Sequence, residues 1–331
     1  MFRLLTFALG LSSIFSLSCK DESGNNVDSW LILKQPFGTS YYYGDDTKDF
    51  QKSSNPSLNI TNTGALAFTS EQIWTADSYV LYNDEPPLST NYSYFFGHTK
   101  GLFFLDNSSG VWLQHSTPEF PYGPLITPNY IGLHQNAWEN AQHFFCITVK
   151  PQELDKIAFG FLYNRPLIYD FKLSYDIQTI YKNITALVQN KYLTDANCIS
   201  TTINSVAGSQ YTVFAKNTAW NNDLYSNCIG NYYNTNLIVQ SWVHSDGLGP
   251  SCPWFGKTVL DVKNMEFSAD FSWSAWNDHS KWAVDTAYNI LCFSDINRVS
   301  DQFKRGGGAI CKINSKFYKT IYSAIKNTDT C

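Results

Sequence analysis

Apolar and polar residues alternate in short runs cut by turn residues, a pattern that predicts more strand than helix. Residues 30–34 form an apolar run stopped by Pro36 and read as an early strand, and the polar stretch 45–62 reads as loop. Residues 79–82 read as a second strand, closed by Asn83-Asp84-Glu85-Pro86-Pro87. Residues 101–105 and 111–115 flank the turn Asp106-Asn107-Ser108-Ser109-Gly110 and predict a hairpin. Later, 237–243 reads as a strand, and 279–284 leads through a turn into 289–293 as a second hairpin-like unit.

Helical spacing appears in three places. Residues 152–163, after Pro151, put Leu154, Ile157 and Phe161 near one face. Residues 177–192 align Ile180, Ile184, Leu187 and Val188, and a final helix over 315–325 aligns Phe317, Ile321 and Ile325. Strands and helices mixed in this way predict an α+β fold, with two halves that each carry a hairpin.

The N-terminus changes the compartment. Arg3, an apolar stretch from Leu4 to Phe15, and small residues at Ser16 and Ser18 read as a secretory leader over 1–18 cleaved before Cys19. The remainder divides into a half at 19–150 and a half at 151–331, expected to act as one compact unit. Acceptor sequons stand at Asn59, Asn91, Asn107 and Asn183, with Asn107 in the expected hairpin turn. The eight cysteines, Cys19, Cys146, Cys198, Cys228, Cys252, Cys292, Cys311 and Cys331, are an even count without zinc-like spacing, which favours disulfides over metal ligation. No segment after the leader is long and apolar enough to span a bilayer, so no stable membrane association is expected.

Charge bears on partners. The formal net charge is −5 with histidine neutral, and −6 once Arg3 leaves with the leader. That balance disfavours binding a polyanion at neutral pH. Protonating the six histidines would cancel it, so such binding should improve toward acid.

The candidate chemistry lies in two triplets, His98-Thr99-Lys100 and His279-Ser280-Lys281, each just ahead of a β-rich run. In extended chain, residues i and i+2 share a face. Each triplet then sets one imidazole beside one ammonium. Two such pairs facing each other can cut a phosphodiester without a metal: one imidazole attacks phosphorus, the other protonates the leaving oxygen, and the lysines hold the phosphoryl oxygens.

These residues resemble the deoxyribonuclease II family across about 19–331. The resemblance rests on Gly97-His98-Thr99-Lys100-Gly101, on His115-Ser116-Thr117-Pro118-Glu119-Phe120-Pro121 and on Asp278-His279-Ser280-Lys281-Trp282. Leu81 to Pro87, Asn222-Asp223-Leu224-Tyr225-Ser226, Arg305 to Cys311 and the start at Cys19-Lys20-Asp21 support it in the right order. It implies a phospholipase-D-like fold of two pseudo-repeated halves sharing one active site. It implies cation-independent DNA hydrolysis at acid pH, with no cofactor, leaving 3′-phosphate and 5′-hydroxyl ends, in lysosomes or outside the cell. The DNA would come from dying or engulfed cells, or from food.

Carried onto this chain, the resemblance makes His98 the nucleophile and His279 the general acid, with Lys100 and Lys281 as phosphate clamps; pseudo-symmetry leaves the reverse order open. His115 matches a further histidine near the site, with a structural role at a strand end as its alternative. The resemblance also implies pairing of Cys19 with Cys146, Cys252 with Cys331, and Cys292 with Cys311, leaving Cys198 with Cys228. Asp106 and Asp285 receive no catalytic role. Trp282 is left between stacking on a base and packing the core. Gly306-Gly307-Gly308 is left between a phosphate contact and a tight loop before a disulfide strand. The competing readings are a silent DNA-binding or toxin-like glycoprotein, and a same-fold phosphodiesterase of RNA or lipid headgroups.

Overall fold

A computed structural model describes residues 17–89, 94–243, 247–253 and 257–331. Residues 1–16 of the leader expected over 1–18 and the sequon asparagine Asn91 lie outside these residues.

Eight strands form the first sheet, all antiparallel, in the order Ile168–Lys172, Ser78–Asn83, Lys100–Leu105, Gly110–His115, Gln142–Val149, Ser29–Lys34, Tyr41–Asp45 and Gln51–Lys52. The expected hairpin is its centre, and Asp106 shapes the turn by accepting the backbone N–H groups of Ser108 and Ser109. The strand Ile168–Lys172, which lies beyond residue 150 in sequence, pairs with Ser78–Asn83.

The second sheet has nine strands. Cys198–Asn204, Gln210–Lys216, Gly307–Lys312, Leu291–Ser294, Trp282–Asp285, Leu237–Gln240, Val259–Ser268 and Phe271–Ser274 follow in that order, and Ile325–Thr328 also pairs with Val259–Ser268.

Period-two alternation explains the layering. Phe103, Leu105, Trp112, Phe145 and Ile147 project from one face of the first sheet, into a core shared with Trp282, Val284, Leu291, Phe293 and Ile310 of the second. Their neighbours Leu102, Phe104, Val111, Leu113 and Phe144 project from the other face, under a separate core closed by Leu66 and Ile73. Both faces of the central strands are therefore buried, and the two sheets pack face to face. Phe145 stacks on Phe293 across the interface, with ring centroids 5.1 Å apart. The helix Pro151–Asn164 presents Leu154, Ile157 and Phe161 to the same core.

Three expected elements differ. The helix expected at 177–192 is two helices, Tyr175–Ile180 and Lys182–Val188, broken where Tyr181 takes φ −101° and ψ 91°. The break follows from a distant carboxylate. Asp155 on the preceding helix accepts the backbone N–H of Asn183 at 2.9 Å and of Ile184 at 3.1 Å, starting a new helix there. The strand expected over 237–243 covers only Leu237–Gln240. The last helix covers Tyr318–Ser323, and Ile325 instead begins a strand whose chain is held by the Asp329 N–H on the Asp261 carbonyl.

All eight cysteines are bonded, as Cys19–Cys146, Cys198–Cys228, Cys252–Cys331 and Cys292–Cys311. No helix among the described residues is long and apolar enough to cross a membrane. Asn107 is exposed and Asn59 half-buried, while the half-buried Asn183 already donates its side-chain amide to Asp155.

Candidate active site

Each triplet sits where a strand of its sheet begins: Lys100 opens Lys100–Leu105, and Lys281 directly precedes Trp282–Asp285. The face-to-face packing brings these two strand starts together. His98, Lys100, His279 and Lys281 line one cavity of about 390 Å³, with Asp84, Glu85, Tyr94, Trp242, Asp301 and Arg305 also on its walls.

The second half positions His98. Its backbone N–H donates to the Gly306 carbonyl at 2.8 Å, and Gly97 donates to the Arg165 carbonyl at 2.8 Å. A Cβ at Gly97 or at Gly306 would collide with the Asn164 carbonyl oxygen, so only glycine permits this approach. The glycine triplet thus serves close packing: Gly307 and Gly308 open a strand, and Gly306 supplies the acceptor for His98.

His98 Nδ1 lies 2.6 Å from the Asp295 carbonyl oxygen. A carbonyl only accepts, so Nδ1 carries the proton and Nε2 of the neutral ring keeps its lone pair. Burial pushes the His98 imidazole well below its usual range, and the Lys100, Arg305 and Lys281 charges push the same way against the pull of Asp84.

The two lysines differ. Burial alone would lower Lys100, but Asp84 and Glu85 outweigh it and raise the ammonium above its ordinary value. Glu85 lies 2.8 Å from Lys100 Nζ, and Asp84 bridges Lys100 to Arg305, whose Nη2 is 2.9 Å from the second Asp84 oxygen. Burial raises Asp84 less than these cations lower it, so it stays well below the usual carboxylate range. The ammonium of Lys281 instead donates to the His279 carbonyl at 2.7 Å. Burial and the nearby Lys100 charge lower Lys281 to about 7.

His279 is held by its backbone N–H on the Ala141 carbonyl, 2.9 Å, and its ring packs on Trp242 with centroids 4.5 Å apart. The Asp278 carboxylate shapes the turn before Lys281 by accepting the Ser280 N–H at 2.8 Å and the Trp273 indole N–H at 2.7 Å.

Other residues fall elsewhere. Trp282 is 1% exposed and packs in the shared core, so the tryptophan at the site is Trp242. His115 is buried between Phe120 and Phe144, accepts the Thr117 N–H at Nδ1, and is not among the cavity's lining residues. His143, not singled out in the sequence, is buried and accepts the Lys281 backbone N–H at 3.1 Å, which anchors the second triplet to the first sheet. Asp285 accepts the backbone N–H groups of Ala287, Tyr288 and Ile290 and so shapes the turn after its strand. Arg305 is set by the buried Lys216 ammonium, which gathers the carbonyls of Gln302, Phe303 and Arg305. Among the described residues, no three His, Cys, Asp or Glu side chains are grouped to hold a metal ion.

An α+β molecule of two packed sheets, with a His-Lys pair from each at one cavity, has the phospholipase-D-like two-half architecture. The sequence profile of the family Deoxyribonuclease II matches residues 18–331. Plancitoxin-1 of Acanthaster planci is 31% identical over 337 residues, 96% of this chain and 93% of the relative. Deoxyribonuclease-2-alpha of Mus musculus is 31% identical over 334 residues, 96% and 94% of the two chains. Cell-death-related nuclease 7 of Caenorhabditis elegans is 29% identical over 351 residues, 99% and 93%. The chain belongs to the deoxyribonuclease II family and is a nuclease hydrolase of that type, with DNA as its substrate.

Proposed function

We propose that this protein cuts DNA internally at acid pH without a divalent metal, through a phosphohistidine intermediate on His98. Nε2 of His98 attacks phosphorus, forming a P–N bond as the P–O5′ bond breaks. His279 gives its proton to the leaving 5′-oxygen. The neutral His279 then takes a proton from water, which attacks phosphorus and breaks the P–N bond. The products are a 3′-phosphate and a 5′-hydroxyl. Lys100 and Lys281 hold the phosphoryl oxygens as charge builds in each transition state, the task a metal ion performs in many other nucleases.

The observation that carries this reading is the Nδ1–H of His98 on the Asp295 carbonyl, which reserves Nε2 for attack. The cations around His98 favour the neutral ring that a nucleophile needs. The ring of His279, tilted against the Trp242 indole with centroids 4.5 Å apart, suits the protonated partner. We assign His115 to structure, on its burial between two phenylalanines. We place the enzyme in the secretory route, in lysosomes or outside the cell, on its four disulfides and the leader over 1–18. Relatives named for cell death support a role in clearing DNA of dying or engulfed cells.

Rapid alkaline quenching of a reaction with 5′-end-labelled DNA, whose label stays on the fragment bound through its 3′-phosphoryl group, tests the mechanism. The expected result is a protein–DNA adduct lost in His98→Ala. An adduct that persists in His98→Ala but vanishes in His279→Ala would reverse the two roles.

A further inference from the structure

The anion seat on Lys100 is already occupied. Its ammonium pairs with both Asp84 and Glu85, yet the two carboxylates are not equivalent. Asp84 is buried and spends its second oxygen on Arg305. Glu85 stands on the cavity wall with its side chain 36% exposed. Its backbone is pinned, by its N–H on Asn83 Oδ1 at 2.9 Å and by the Glu119 N–H on its carbonyl at 2.8 Å. Only the side chain is then available to move.

The charges on the cavity wall balance when its two histidines are neutral. Lys100, Lys281 and Arg305 oppose Asp84, Glu85 and Asp301. Glu85 also faces Lys281 from across the cavity, where it favours the ammonium form. His98 and His279 share the same walls. A cavity of zero formal charge has little pull on a phosphodiester. Swinging the Glu85 side chain outward opens one side of the Lys100 ammonium, which keeps its bond to Asp84, and moves a negative charge away from the anion seat.

We infer that Glu85 is an internal counter-ion which the substrate phosphodiester must displace from Lys100, so that Glu85 sets how tightly the site accepts an anionic strand. This rests on the nuclease reading of the same cavity. Asp84 cannot fill the role, because its charge is locked in a buried bridge between two cations. Glu85 competes with substrate and takes no part in bond making.

The test is Glu85→Gln, which keeps the side-chain shape and an oxygen toward Lys100 but removes the charge. KM and kcat for a single-stranded oligonucleotide are measured in excess EDTA from about pH 5 to about pH 8, and binding of the same strand is measured to His98→Ala protein with and without the change. KM and Kd should fall roughly fivefold, with kcat little changed. Glu85→Asp, which keeps the charge, should not reproduce the gain. Equal KM at every pH, or a uniform loss of kcat across the range, would overturn the inference and make Glu85 a structural prop. If the parent protein cleaves nothing, the nuclease reading fails, while the binding arm still decides the role of Glu85.

Discussion

His98 Nδ1 sits 2.6 Å from the backbone carbonyl oxygen of Asp295, a residue 197 positions away on the other half of the fold. That contact joins the halves at the reacting atom. The Asp295 carboxyl makes a parallel tie, accepting from Gln114 Nε2 of the first sheet and from the Gly308 N–H of the second, each at 3.1 Å. The tautomer of the proposed nucleophile thus depends on the two sheets staying in register.

Asp295 carries a pH signature. Burial raises its carboxyl to about 7, against the lowering effect of Gln114, the Gly308 N–H and Lys100. Between its ordinary value and about 7 the folded protein holds a proton that the unfolded chain has released. Its contribution to stability therefore falls as pH rises through that window. Asp295→Asn cannot ionise, and it loses one acceptor at every pH. Thermal melting should show the variant's deficit shrinking from about pH 5 to about pH 8. A deficit that grows with pH would place the ionised carboxylate in the stable fold.

Lys281 limits the neutral side. With its ammonium lowered to about 7, the proposed phosphate clamp is charged in acid and fades above neutrality. Lys281→Met should cost roughly a hundredfold or more in kcat at acid pH. Lys281→Arg should be slower than the parent at its optimum, yet keep a larger fraction of its own acid rate at about pH 8, because guanidinium stays charged. A ratio equal to the parent's would remove Lys281 from the pH dependence.

The two tryptophans near the second triplet should separate cleanly. Trp282 fills the shared core, and Trp282→Ala should cost about 3–5 kcal/mol of stability in a denaturant titration. Trp242 packs on His279 at the cavity, and its indole N–H is anchored on the Trp276 carbonyl at 3.1 Å. Trp242→Ala should lower kcat at least severalfold with a much smaller stability loss. The opposite pattern would mean that Trp242 holds the fold rather than the histidine.

Phe293 tests how the halves are joined. Its stacking on Phe145 spans the sheet interface, so Phe293→Ala should cost about 3–5 kcal/mol and lower activity through loosened sheet packing. Unchanged stability would show that the interface does not depend on this pair.

The four cavity residues were legible because residue type and spacing carried them: two His-x-Lys triplets, each ahead of an apolar run. The central hairpin was equally legible from its alternation and its Asp-Asn-Ser-Ser-Gly turn. The partners of those residues were not. A backbone carbonyl such as that of Asp295 leaves no trace in residue identity, and the Asp84–Arg305 bridge joins residues 221 positions apart. Asn83 to Pro87 read as a strand stop within a family-like stretch, with neither Asp84 nor Glu85 singled out, although it supplies both to the cavity. The helix break at Tyr181 was hidden because its cause, Asp155, lies on another helix. The ten-residue strand Val259–Ser268 escaped because it mixes Asp261, Lys263, Asn264 and Glu266 among its apolar residues, blurring the alternation.

The most direct test of the central claim is nicking of supercoiled plasmid at about pH 5 in excess EDTA, by the parent protein and by His98→Ala. The account predicts relaxed and then linear DNA with the parent and supercoiled DNA with the variant. Loss of parent activity in EDTA, or full activity in His98→Ala, would contradict a metal-independent histidine nuclease.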